Sequence, residues 1–148
     1  MAKTESVLTP ANLPYRMRLL TQAMTRGFQD LIEKHGVTPL HWGVLSCLWK
    51  EDGQATQAIA RQLEQLGGTL TVGIDVMEKR GLVRRRRDHE DGRVSRVWLT
   101  KRGRQLEVAL VPEVERFVEQ LFSCFSAREY AEFSELVDRL RRHVGRFA

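Results

Sequence analysis

Apolar residues recur every three or four positions from Asn12 to His35. Leu13, Met17, Leu20, Met24, Phe28 and Leu31 form one stripe, which predicts an amphipathic helix. At 1.5 Å per residue it is roughly 35 Å long. Pro10 and Pro14 bracket its start, Asn12 is its cap and Gly36 its stop. Thr38-Pro39 opens a second helix, with Leu40, Val44, Leu45 and Leu48 inside and Trp42 and Trp49 at its flanks. Glu51-Asp52-Gly53 ends it. Thr56 reads as the cap of a short helix from Gln57 to Leu63, buried through Ile59, Ala60 and Leu63. Gly67-Gly68-Thr69 breaks the chain. A further helix is expected from about Thr69 to Arg80, burying Leu70, Ile74 and Met77 and closed by Gly81.

From Leu82 the period drops to two. Leu82-Val83 begins a strand, Val94, Val97 and Leu99 lie in its return partner, and Glu90-Asp91-Gly92-Arg93 supply the turn. Helical spacing resumes after Thr100 with Leu106, Leu110, Val114, Phe117, Val118, Leu121 and Phe122, and Pro112 is expected to kink it. Ser126 and Glu129 spell a capping box. The last helix is expected to bury Tyr130, Phe133, Leu136, Val137 and Leu140, and it ends in Arg139, Arg141, Arg142 and Arg146. Two short helices around a tight turn make a helix-turn-helix. The fold class is therefore mainly α with a small β-hairpin (α+β), and 148 residues are one domain.

Charge changes the picture. The whole chain carries +5, yet residues 79 to 104 hold eleven Lys and Arg against three Asp and Glu. Everything outside that window is net negative, so the cations are gathered at the hairpin. A pI near 9.7 favours a polyanionic partner. Val97 and Leu99 alternate with Arg96, Trp98 and Thr100, so one strand face packs and the other stays open. Asp91, two residues before Arg93, is expected to brace its guanidinium at the hairpin tip. An arginine held there suits a narrow minor groove, where the negative potential is strongest.

No run approaches a membrane span. Met1 to Leu8 lacks the apolar run of a signal peptide. Cys47 and Cys124 cannot build a disulfide framework, so a cytoplasmic location is expected.

Asp91-x-Arg93-x-x-x-Val97-x-Leu99-Thr100-x-x-Gly103, preceded by Met77-Glu78-Lys79-Arg80-Gly81-Leu82-Val83, resembles the signature of MarR-family transcriptional regulators. Leu40-His41-Trp42-Gly43-Val44-Leu45 is similar to that family's second helix, and Ala55-Thr56-Gln57 with Ile59, Ala60 and Leu63 to its third. The resemblance implies a winged helix-turn-helix core over residues 37–102. Residues 11–36 and 103–148 would form a helical dimerisation lobe. It also implies a homodimer on a pseudo-palindromic double-stranded DNA operator, acting as an autoregulated repressor released by a small aromatic or phenolic effector.

By position, Gly68, Thr69, Thr71 and Val72 would form the exposed start of the recognition helix. Arg85, Arg86, Arg87, Asp91, Arg93 and Arg96 would form the wing, and Thr56 and Gln57 would contact phosphate. Tyr15, His41 and Trp42 would line the effector pocket. The chain departs from the family pattern where Val72 replaces an arginine. It departs again at Gly67, Gly68 and Gly73, each costing about 1 kcal/mol relative to alanine in a helix. A recognition helix that is short, or that firms up only on DNA, is therefore expected, reading thymine methyl groups through Val72 and the threonines. Specificity would then lean on the wing and on DNA shape.

Catalysis finds no foothold: no nucleophile elbow, phosphate loop or Ser/His/Asp set is present. Asp88, Glu90 and Asp91 read as orienting partners for arginines. His35, His41, His89 and His143 lack zinc spacing, so neither a metal nor another cofactor is expected. Cys47 reads as a small core residue. Lys101, Arg102 and Arg104 divide between phosphate contact and solvent. The rival readings are a winged-helix interaction or nonspecific DNA-binding module, and a metal- or redox-gated regulator using His41, Cys47 or Cys124.

Overall fold

The computed structural model describes residues 12–145, so Pro10, Arg146 and the segment Met1–Leu8 lie outside the described residues. Nine elements follow in order: α1 (Leu13–Glu33), α2 (Pro39–Lys50), β1 (Gln54–Ala55), α3 (Thr56–Leu63), α4 (Gly67–Lys79), β2 (Val83–Arg87), β3 (Ser95–Leu99), α5 (Lys101–Phe122) and α6 (Ala127–Val144). The fold is mainly helical with one small antiparallel sheet, ordered β1-β3-β2. The chain divides into two compact units, one ending at Val114 and one beginning at Glu115.

The first unit is built around side chains removed from water: Ile32, Val44, Leu45, Leu48, Ile59, Leu70, Ile74, Met77, Val83, Val97 and Leu110 are fully buried. They come from α1 to α5 and from both strands of the hairpin. The helix-turn-helix and the wing therefore share one core, and burial of this apolar area holds them together. The caps of α1 and α2 fall where the sequence put them. Asn12 accepts the Tyr15 N–H at 2.9 Å, and Thr38 accepts the His41 N–H at 3.2 Å. Gly36 and Gly81 take φ values of +69°, the left-handed turns that end α1 and α4.

Several boundaries differ from expectation. Thr56 is the first residue of α3 rather than its cap; Ala55 holds the cap position. The Thr56 hydroxyl instead donates to the Ser95 carbonyl of β3 at 3.2 Å. Helix α4 begins at Gly67, two residues early, because Leu66 is extended and its carbonyl accepts the Leu70 N–H at 3.1 Å. Helix α4 is thus 13 residues long rather than short.

Gly73 has a packing reason: a Cβ there would lie 2.6 Å from Leu40 Cδ2, so with any other residue the Leu40 side chain would have to shift where α4 crosses α2. The wing loop spans residues 88 to 94 rather than four, and Val94 falls just outside β3. The sequence reading missed β1, which pairs Gln54 with Val97 and Ala55 with Arg96.

In α1 only the C-terminal half packs. Ile32 is buried and Phe28 and Leu31 lie against the core, while Leu13 and Leu20 are more than half exposed. In the second unit Ser126 and Glu129 form the expected capping box. The apolar side chains of α6, expected to be buried, are exposed in the single chain, Leu136 at 52%. Phe122, Phe125, Tyr130 and Phe133 cluster there, with ring centroids 5.1 to 6.4 Å apart.

Candidate nucleic-acid interface

Three elements of the first unit enclose a hollow of about 730 Å³. Thr56, Gln57 and Arg61 of α3 line one side and Thr71 of α4 the floor, while Arg86, Arg87 and Arg93 close it from the wing. The structure thus brings together residues drawn from three separate sequence motifs. Its lining carries several cations and no carboxylate. Arg61 was not singled out from the sequence, although it lies four residues after Gln57 and so on the same helical face.

On α4, Gly68, Thr69, Thr71 and Val72 are all exposed, Val72 at 64%. The Thr71 hydroxyl donates to the Gly67 carbonyl at 2.9 Å, so its hydrogen is used inside the helix. Val76, one turn on, is also exposed. This face offers methyl groups rather than long polar side chains, a chemistry suited to thymine.

The wing arginines separate into two kinds. Arg86, Arg87 and Arg93 are exposed. Arg85 and Arg96 are tied to acids of the chain itself. Arg85 is ion-paired with Asp75 of α4, lies 3.6 Å from Glu78, and gives its backbone N–H to Glu78 at 2.7 Å. Arg96 is ion-paired with Asp88 and donates to the Gly53 carbonyl at 3.0 Å. Arg85 still lines the hollow, with its charge shared with Asp75, whereas Arg96 is not among the lining residues.

The expected brace at the tip takes another form. Asp91 accepts the backbone N–H of Arg93 at 3.0 Å rather than its guanidinium. The carboxylate that organises the loop is Asp88. It accepts the N–H groups of Glu90 and Asp91 at 2.9 and 3.0 Å while holding Arg96. The Arg96 bond, then those two amides, hold its pKa down at about 2. The Asp88 N–H donates to the Val94 carbonyl at 2.9 Å and closes the loop.

Asp52, read from the sequence only as a helix terminator, joins the wing to the helices. One carboxylate oxygen accepts the N–H groups of Gly53 at 2.9 Å and Leu99 at 2.8 Å, and the other binds Arg104 at 2.8 Å. Gly103 of the signature sits against the Leu82 carbonyl with no room for a Cβ, and its own carbonyl accepts the Trp49 indole N–H at 3.0 Å.

His41 and Trp42 are neighbours on α2. Trp42 meets Phe28 and Trp49 edge-on, with centroids 5.5 Å away in each case. His41 is buried, and its Nδ1 has no hydrogen-bond partner. Burial, then the nearby Arg80 charge, push its pKa below the ordinary histidine value. Tyr15 is not brought to them: it precedes Phe28 by thirteen residues of α1, about 20 Å along the axis. It is exposed, with the Arg18 guanidinium 4.8 Å above its ring. Cys47 is buried, which pushes its thiol pKa up, and Cys124 is exposed. Among the described residues no three His, Cys, Asp or Glu side chains converge as metal ligands, and no helix is long and apolar enough to cross a membrane.

Comparison with known proteins gives the same reading. Residues 37–95 match the MarR family. The HTH-type transcriptional regulator TtmR of Methylorubrum extorquens is 33% identical over 97 residues, covering 66% of this chain and 50% of that protein. The chain thus spans about half the length of that relative. A MarR transcriptional regulator from Methanosarcina mazei superimposes with a TM-score of 0.76 at 25% identity, over 92% of this chain and 98% of the other. Reduced AbfR bound to DNA superimposes with a TM-score of 0.71 at 25% identity, over 91% of each chain.

Proposed function

We propose, from the premise that the chain belongs to the MarR family of DNA-binding transcriptional regulators, that it is a cytoplasmic, homodimeric repressor of a pseudo-palindromic operator, autoregulated and without catalytic activity. Each protomer would lay α4 in a major groove and pass the Arg93 loop into the flanking minor groove. One observation carries the reading: the hollow that joins Thr56, Gln57, Arg61 and Thr71 to Arg85, Arg86, Arg87 and Arg93 holds five arginines, no carboxylate, and opens to solvent. Phosphates are the partner that such a surface attracts. The uncovered apolar stripe of α6 supports the dimer, because a soluble chain rarely leaves so many large side chains in water.

A small aromatic or phenolic effector would act beside α2. The unpartnered, buried Nδ1 of His41 supports this, since a phenol hydroxyl can supply the missing hydrogen bond. Such a ligand shifts DNA affinity only by its differential affinity for two arrangements of the dimer.

Selection of bound sites from random duplexes with the purified protein tests the reading. The expected result is an imperfect palindrome whose half-sites lie about one helical turn, roughly 34 Å, apart. Recovery of unrelated sequences would favour a nonspecific module instead.

A further inference from the structure

Four consecutive arginines on β2 serve more than one surface. Alternation along the strand sends Arg85 toward α4 and leaves Arg84 and Arg86 on the opposite face, where register pairs Arg84 with Trp98 and Arg86 with Arg96. Behind the wing lie two adjoining hollows of about 580 and 350 Å³. Both are lined by Arg84, Arg86, Thr100 and Lys101; Arg102 borders the larger and Trp98 the smaller. Arg84, Lys101 and Arg102 are exposed, and Trp98 is 41% exposed. The single carboxylate here, Glu78, is already held by the Arg85 N–H and guanidinium. The start of the 22-residue helix α5 adds its positive end to the same place.

Nothing in the hollow described above uses Arg84, Lys101 or Trp98. Arg86 lines that hollow and both of these. The cationic surface therefore continues from the groove side, around the free edge of β2, to the back of the wing.

We propose that this back face holds the phosphate backbone of duplex DNA lying outside the half-site, beyond the minor groove that the wing enters. The inference rests on the regulator reading and extends its footprint. Continuity with the groove favours DNA over an acidic protein segment, because one uninterrupted polyanion satisfies both faces. An acidic peptide would also need exposed apolar anchors, and of the apolar lining residues Val83 and Leu99 are buried, which leaves Trp98. Closing on the back face requires the duplex to bend toward the protein, so flanking sequences that bend easily would bind best.

The test compares the wild-type protein with an Arg84→Ala/Lys101→Ala double variant on two operator duplexes. One ends at the outer edge of the wing contacts; the other runs about ten base pairs further on each side. The wild-type protein is expected to bind the longer duplex tenfold or more tightly at 0.1 M salt. The variant should keep its short-duplex affinity within about twofold and lose that gain. Its log K against log salt slope on the long duplex should flatten by about 0.9 for each phosphate contact removed.

Equal wild-type affinity for both duplexes would overturn the inference and leave the regulator reading standing. So would an equal loss by the variant on both, which would put Arg84 and Lys101 in the half-site itself. Poly-glutamate that lowers wild-type affinity for the long duplex to that for the short one, and leaves the short-duplex affinity unchanged, would support the shared back face. Preferential capture of poly-glutamate over flanking DNA would overturn the choice of partner. A wild-type protein that bound neither duplex would refute the regulator reading.

Discussion

Arg85 on β2 and Asp75 on α4 form an ion pair, so the two elements proposed to read DNA are fastened to each other. Both groups are about a third exposed or more, and water screening limits the pair to roughly 0.5–1 kcal/mol of stability. Its effect on binding is larger in kind, because it fixes the angle between helix and wing and neutralises an acid beside the phosphates. Arg85→Ala should weaken operator binding about tenfold while leaving the salt slope nearly unchanged, since no phosphate contact is lost. Asp75→Asn frees the guanidinium and should steepen the slope by about 0.9 per protomer. Fluorescence titrations across a salt series separate the two.

Two glycines of α4 have opposite expectations. Gly73→Ala sets a methyl group 2.6 Å from Leu40 Cδ2 and should cost about 1–3 kcal/mol by overpacking. Gly68→Ala meets nothing within 4 Å and should stabilise by about 0.5–1 kcal/mol through the unfolded chain. Urea melts measure both.

Asp52→Ala removes the acceptor for the Leu99 N–H and the partner of Arg104. A strand amide next to the core then has no acceptor, which costs about 1–3 kcal/mol. Asp52→Asn keeps one carbonyl oxygen and should recover part of it in the same thermal melts.

The wing loop should tolerate acid unusually well. Asp88 is held at about 2, below its ordinary value of 3.8. A depressed carboxyl pKa means that the ionised form favours the folded loop. That contribution is complete above pH 4 and is lost as pH falls from 4 through 2. Carboxyl chemical shifts followed by NMR should place the Asp88 midpoint near 2, and Asp88→Asn should abolish the pH dependence of the Glu90 and Asp91 amide shifts in that range.

Val72→Ala should reduce discrimination at thymine positions with little change in total affinity. Arg93→Ala should lower affinity for all sites and relax preference for narrow minor grooves. Binding to a panel of mutated operators distinguishes them, and loss of discrimination confined to Val72→Ala would shift specificity from the wing to the helix.

Most of the architecture was legible because it rests on long periodic patterns. The stripes of α1, α2 and α5, the Thr38 and Ser126 caps and the switch to period two at Leu82 need only local chemistry. What escaped depends on neighbours distant in sequence. β1 has two residues, too few for alternation to register, and exists because β3 has a free edge. The start of α4 is set by the extended backbone of Leu66, which carries no capping side chain. The sequence placed all the wing arginines together as DNA contacts. Only packing against Asp75 and Asp88 turns Arg85 and Arg96 inward, and only the approach of α3 brings Arg61 beside the wing. Tyr15, His41 and Trp42 show the converse. Residue type grouped them, but helix length carries Tyr15 away from the others within one chain.

The Glu78 carboxylate seated on the outward amide of Arg85 has a consequence for behaviour in a crowded cell. A bare outer strand is a template on which a neighbouring molecule can lengthen the ladder and begin to aggregate. Here that amide is already occupied, and the exposed charges of Arg84, Arg86 and Arg87 repel any approaching copy. A second copy therefore finds this edge of the sheet harder to extend.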